Sequence, residues 1–195
     1  PAETTPLTAL LLAQVIQEAE LPPGVVNIIT GAGPTGAYLV EHDDVDKIAF
    51  TGSTEVGKII RRTVAGTGKR LTLELGGKAA NIAFEDAPLD QTVEGVINGI
   101  FFNQGHVCCA GSRLLVQEPV FEPLLEKLKD RLQTLRVGNP LDKNTDIGAI
   151  NSKAQLAKIE ELVAAGVDEG AEMYQPECAL PERGFWFRPT LFTTV

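Results

Sequence analysis

The segment Phe101–Arg113, FFNQGHVCCAGSR, places two of the chain's three cysteines in a loop broken by glycine. An apolar run with helical spacing precedes it, and Leu114-Leu115-Val116, of strand character, follows. A thiol at such a boundary between elements can be aimed into a cleft, and Cys108 reads as a nucleophile acting through its thiolate. Its candidate partner is Glu74, 34 residues upstream (108 − 74 = 34), in Leu73-Glu74-Leu75-Gly76-Gly77-Lys78. There a carboxylate stands between two leucines at a strand end. Apolar neighbours penalise the charged form of an acid, the setting of a useful general base. The glycines after it allow close approach of backbone or ligand. Each residue also has a plainer reading. Free cysteine often simply packs, and a glutamate at a strand edge often faces solvent. His106, two residues before Cys108, invites a Cys–His dyad if the loop is extended, since residues two apart then share a face. A loop histidine without that role is the simpler assignment.

Two further stretches suit a phosphate. Gly31-Ala32-Gly33-Pro34-Thr35-Gly36 has the G-x-G-x-x-G spacing after the apolar run Val25–Ile29, which would put a pyrophosphate on the next helix N-terminus. Pro34 is atypical there, no acidic residue clearly ends the next strand, and a glycine-rich turn accounts for the string as well. In Phe50-Thr51-Gly52-Ser53-Thr54-Glu55-Val56-Gly57 a strand ends, small residues turn, and a helix begins. Backbone N–H groups and hydroxyls at that start suit an anion, and plain capping by Ser53 or Thr54 suits the same residues.

The elements that must position these groups alternate. Thr5-Pro6 predicts a helix start with Thr5 as cap, and Leu7, Leu10, Leu11, Val15 and Ile16 predict its apolar face. Val25–Ile29 reads as a buried strand, Pro34–His42 as a helix, Lys47–Phe50 as a strand, the stretch from Ser53 as a helix and Arg70–Leu75 as a strand. Gly76-Gly77 reads as a hinge. Beyond it come a strand at Ala80–Phe84, a helix with Val93, Val96, Ile97, Ile100 and Phe101 on one face, the cysteine loop, a strand at Leu114–Gln117 and a long helix through Leu132. Ser152 and Gln155 form a capping box for a last helix, and the tail from Ala171 is less regular, with Phe185-Trp186-Phe187 extended. Strands alternating with helices predict a parallel sheet with right-handed crossovers, an α/β fold.

The 195 residues carry a net charge of −9 with scattered Lys and Arg, which argues against a nucleic-acid partner and for a small-molecule substrate. No apolar run is long enough for a membrane span. Three cysteines and two histidines supply neither a disulfide framework nor a metal site, and a reducing, cytoplasmic compartment is expected.

Taken in order, PAE-T-PLTAL at Pro1–Leu10, PGVVN at Pro23–Asn27, FTGSTEVG at Phe50–Gly57, LELGGK at Leu73–Lys78 and FFNQGHVCCAGSR resemble the NAD(P)-dependent aldehyde dehydrogenase superfamily almost end to end. The resemblance implies a partial Rossmann-like cofactor domain and a partial α/β catalytic domain. Residues 1–76 would be the C-terminal half of the former, and 77–195 the thiol-bearing latter, truncated at its C-terminus. It implies Cys108 as nucleophile and Glu74 as activator of water. It also implies cofactor contacts at Gly33 and Pro34 beside the adenine, at Gly52, Ser53, Thr54, Glu55, Val56 and Gly57 around the pyrophosphate, and at Leu75. Glu3 matches a carboxylate that accepts from the adenosine ribose hydroxyls, and its charge would repel a 2′-phosphate, so NAD is favoured over NADP.

An oxyanion would be held by the Cys108 N–H and a family asparagine outside this chain. His106 stands where the family has glutamine. The family's ribose-binding lysine and second glutamate also lie outside the chain. A piece of a longer, homo-oligomeric protein is expected, inactive by itself. Rival readings are a relative that passes the acyl group to coenzyme A, a catalytically silent structural or binding relative, and a cysteine hydrolase without cofactor.

Overall fold

The computed structural model describes residues 1–195, which divide into two compact units, Pro1–Gly76 and Gly77–Val195. In the N-terminal unit, α1 (Leu7–Glu18) and α2 (Gly33–Glu41) are followed by β1 (Lys47–Thr51), α3 (Thr54–Thr63) and β2 (Arg70–Glu74). β1 and β2 pair in parallel, Lys47 opposite Arg70 through Thr51 opposite Glu74, with α3 as the crossover. Ile48, Ile60 and Val64 form a small core, flanked by Val40, Val45, Phe50 and Leu71. The Lys69 ammonium closes the end of α2 by donating to the Val40 and His42 carbonyls at 2.7 and 2.8 Å, where a helix leaves acceptors unpaired and favours a cation.

Two expectations fail in this unit. Val25–Ile29 is not a strand, and Val25 is 64% exposed. A strand needs a ladder, and the only sheet here is β1·β2, so the apolar run has no partner. Helix α1 forms, but Pro6 rather than Thr5 takes the cap position, no side chain caps it and none of its residues is buried. Its apolar face has nothing in the unit to pack against.

The C-terminal unit holds β3 (Ala80–Ala83), α4 (Leu89–Phe101), a 3-10 turn at Phe102–Gly105, β4 (Arg113–Val116), α5 (Glu118–Gln133), α6 (Lys153–Asp168), β5 (Glu172–Tyr174) and β6 (Leu191–Thr193). β3 and β4 are parallel, Ala80 opposite Arg113. The core lies where α4 packs on α5: Val93, Val96 and Ile97 meet Leu124, Leu128 and Leu132, of which Leu124 is fully buried. Burying one such leucine is worth about 2 kcal/mol. Two ion pairs repeat along the rim of that contact, Lys127–Asp90 and Arg131–Glu94, each at 2.7 Å. They fix register more than stability, because exposed pairs are weak. Ser152 caps α6 through the Gln155 N–H at 3.2 Å. In the tail, Phe185–Phe187 lies outside any strand, and β5 and β6 pair antiparallel. No helix is long and apolar enough to cross a membrane.

Candidate functional site

In the C-terminal unit the thiol sits on a tight turn. The Ala110 N–H donates to the Val107 carbonyl at 3.1 Å, leaving Cys108 and Cys109 at the exposed central positions. The turn is pinned on both sides: Ala79 N–H donates to Ala110 O at 3.1 Å, and Gly111 N–H to Gly99 O at 3.1 Å. No acceptor in the chain takes the Cys108 N–H. Before the turn, three consecutive residues adopt left-handed backbone: Asn103 (φ 49°), Gln104 (φ 55°) and Gly105 (φ 74°). Outside glycine this conformation costs roughly 1–2 kcal/mol per residue, and such strain concentrates at functional sites. The left-handed step ends α4 and swings the chain into the thiol turn.

Lys78, the last residue of LELGGK, contacts the thiol loop in a way that the sequence does not point to. Its ammonium donates to the Gly105 carbonyl at 2.6 Å and the Val107 carbonyl at 2.7 Å. The only signal in the sequence is a cation near the start of β3. Arg113 in turn donates to the Lys78 carbonyl at 3.0 Å. His106 is half-buried, and its Nε2 is enclosed with no hydrogen-bond partner. Burial, and then the charge of Lys78, hold its pKa below the ordinary imidazole value. Past the 3-10 turn, His106–Cys108 run through a bend into the hydrogen-bonded turn closed by Val107 and Ala110 and form no extended strand, so the extended backbone on which a Cys–His dyad is premised is not there. Cys178 lies half-buried at the edge of the core, where burial pushes its thiol up against the opposing pull of Arg188.

In the N-terminal unit, Glu74 ends β2 on its exposed face. The apolar enclosure expected from Leu73 and Leu75 does not form around it, because adjacent strand residues point to opposite faces. Leu75 packs against α3. Its side chain fills the space beside Gly57, where a Cβ would lie 2.6 Å from a Leu75 methyl. Gly57 is buried in α3 for that reason. Ser53 caps α3, accepting from Val56 N–H at 3.2 Å, and Glu55 adds an acid to the first turn. Thr54 opens the helix, and Gly52 is kept small by the Phe50 ring, which a Cβ would strike.

Gly33 and Pro34 begin α2. A Cβ on Gly31 would collide with the Thr35 side chain, so part of the glycine string serves the turn itself. Between α2 and α3 lies an apolar cleft of about 630 Å³ whose lining includes Gly33, Val40, Phe50, Val56 and Ile59. It has the wall chemistry of a site for a flat, largely apolar group, beside a helix start with free N–H groups. Glu3 is exposed in a turn at the start of the chain.

A parallel α/β unit with a cleft beside a capped helix start, joined in sequence to a second α/β unit with an exposed thiol, defines a Rossmann-like α/β class. The model of the aldehyde dehydrogenase family matches residues 1–195, and the chain belongs to that family. It is 49% identical to retinal dehydrogenase 2 of Rattus norvegicus, over all of this chain and 38% of that protein. It superposes on the NAD-dependent aldehyde dehydrogenase of Sinorhizobium meliloti with a TM-score of 0.95 and 43% identity, covering 100% of this chain and 39% of that one. It matches an NAD+ complex of aldehyde dehydrogenase from Bacillus cereus with a TM-score of 0.94 and 42% identity, covering 100% and 40%. The chain thus spans about two fifths of the length of these relatives.

Proposed function

We propose that the protein containing this chain oxidises an aldehyde to a carboxylic acid with NAD, through a covalent intermediate on Cys108. The observation that carries the reading is the exposed Cys108 thiol on a pinned turn whose own N–H is unpaired. In this reading residues 1–76 are half of a cofactor domain and 77–195 most of a catalytic one. The thiolate adds to the carbonyl carbon, forming a C–S bond, and the Cys108 N–H holds the resulting oxyanion. Bound NAD supplies the acceptor for the hydride that leaves that carbon, giving a thioester. Glu74 takes a proton from water, which attacks the thioester, releases the acid and restores the thiol.

The cofactor contacts proposed are Ser53, Thr54, Glu55 and the stretch Gly52–Gly57 at the phosphates, with Gly33 and Val56 at the apolar cleft and Pro34 beside Gly33 at the start of α2. Leu75 shapes α3 from behind through Gly57. Glu3 would accept from ribose hydroxyls and disfavour a 2′-phosphate, hence NAD over NADP. A cytoplasmic homo-oligomer without nucleic-acid or membrane partners is proposed with it; the free cysteines support the reducing compartment, and the acidic net charge speaks against nucleic acid.

The test is on the full-length protein with a panel of aldehydes. Cys108→Ser should abolish NADH formation. Glu74→Gln should give a burst of about one NADH per thiol and then stall, because hydride transfer precedes the step that needs the base. Full turnover by Cys108→Ser excludes the nucleophile. A Glu74→Gln enzyme that turns over normally, or a parent that needs coenzyme A, excludes hydrolysis by Glu74.

A further inference from the structure

We infer that Lys78 is a positioning residue of the thiol site, which polarises the peptide unit joining Val107 to Cys108 and thereby strengthens its N–H as an oxyanion donor. The inference rests on the reading of Cys108 above and deepens it.

Two carbonyls on one side of the loop, Gly105 and Val107, converge on a single ammonium at 2.6 and 2.7 Å. These are the short distances of charge-assisted hydrogen bonds, about twice as strong as neutral ones. The lysine is itself held by its backbone. Arg113 donates to its carbonyl at 3.0 Å, and the next residue, Ala79, bonds to Ala110 at the far end of the thiol turn. The ammonium is therefore placed by β3 and β4 and not by the loop that it grips.

The Val107 carbonyl and the Cys108 N–H belong to one amide. A cation on that oxygen, beside the Ala110 N–H that the same oxygen already accepts, draws electron density through the amide and leaves its N–H a better donor, as hydrogen bonds in chains polarise one another. That N–H donates to nothing in the chain, so its strength is free to be used on a ligand. The depressed pKa of neighbouring His106, caused by burial and then by Lys78, is a sign that the field of this charge reaches the loop. Mere anchoring of the loop would need only a neutral donor. Two short contacts from a full charge do more.

The experiment uses full-length protein and compares three reactions of the same sulfur. Aldehyde oxidation and acylation by nitrophenyl acetate both pass through an oxyanion at the attacked carbon. Alkylation by iodoacetamide does not, and is read as its limiting rate at high pH. In Lys78→Met the first two should fall about tenfold to fiftyfold, somewhat less than the loss from removing an oxyanion donor outright, in kcat more than in KM. Alkylation should stay within about twofold. Lys78→Arg, which keeps charge and donors, should recover most of the lost rate. An equal fall in all three reactions makes Lys78 a plain structural anchor and overturns the inference. Unchanged oxidation and acylation overturn it as well. Should Lys78→Met lose its folded structure, Lys78→Gln, a donor without charge, carries the same comparison. Retained activity in Cys108→Ser would instead sink the nucleophile reading and leave a distinct signature.

Discussion

The hydroxyl of Ser53 accepts the Val56 N–H at 3.2 Å, so the side chain proposed to sit beside a pyrophosphate is also the cap of α3. The two roles separate by charge. Asp caps a helix as well as Ser does, whereas Ala does not. Ser53→Ala should therefore lower stability by about 1 kcal/mol and weaken NAD binding modestly. Ser53→Asp should keep stability and weaken NAD about tenfold or more, because a second negative charge would face the phosphates. Thermal midpoints and calorimetric titration of the full-length protein read both. If Ser53→Asp binds NAD like the parent, the phosphates lie elsewhere.

Gly105 has φ 74°, and a Cβ there would stand 3.0 Å from the backbone carbonyl of Ile100, which cannot move aside as a side chain tip could. Gly105→Ala should cost about 1–3 kcal/mol, the sum of left-handed strain and overpacking. Because the turn after it carries the thiol, alkylation of Cys108 should change together with the denaturation midpoint. A variant with unaltered stability would mean that the left-handed step is not required.

The alternation of strands and helices and the family are legible in the sequence because periodic apolar spacing and five ordered motifs are local signals. The α4–α5 core is a case: Val93, Val96 and Ile97 stand out by spacing and are buried. The absence of a strand at Val25–Ile29 is not legible. Its residues have strand character, but a strand exists only with a ladder partner, and no segment of the N-terminal unit supplies one. The exposed setting of Glu74 runs against its neighbours because flanking leucines in a strand lie on the other face. The part played by Lys78 is hidden because its partners, Gly105 and Val107, lie 27 and 29 residues away. Only the parallel pairing of β3 with β4 brings them together. The antiparallel pair β5·β6 is hidden in the same way, its strands being three residues each.

His106 is held neutral in the fold by burial and by Lys78, below its ordinary value of 6.5. On acidification the unfolded chain therefore takes up this proton first. Stability contributed by the neutral histidine is complete above about pH 6.5 and is lost progressively as pH falls below it. His106→Gln, which cannot take up the proton, should flatten the fall of the thermal midpoint between pH 7 and 5 relative to the parent. Parallel curves for the two proteins would show that His106 is free to protonate in the fold.

The three thiols should separate by reactivity for physical reasons that differ. Cys108 and Cys109 are exposed on the turn, while Cys178 is half-buried and its thiol is pushed up by burial against the pull of Arg188. Thiolate, not thiol, reacts with iodoacetamide. At neutral pH, peptide mass spectrometry should find Cys178 labelled last, about tenfold or more behind the turn cysteines, and its rate should climb as pH is raised. Arg188→Leu removes the one charge that favours the Cys178 thiolate, so it should slow Cys178 further and leave the turn cysteines unchanged. Faster labelling of Cys178 in Arg188→Leu would mean that the guanidinium shields the sulfur by bulk and not by charge, a different account of the same half-buried position.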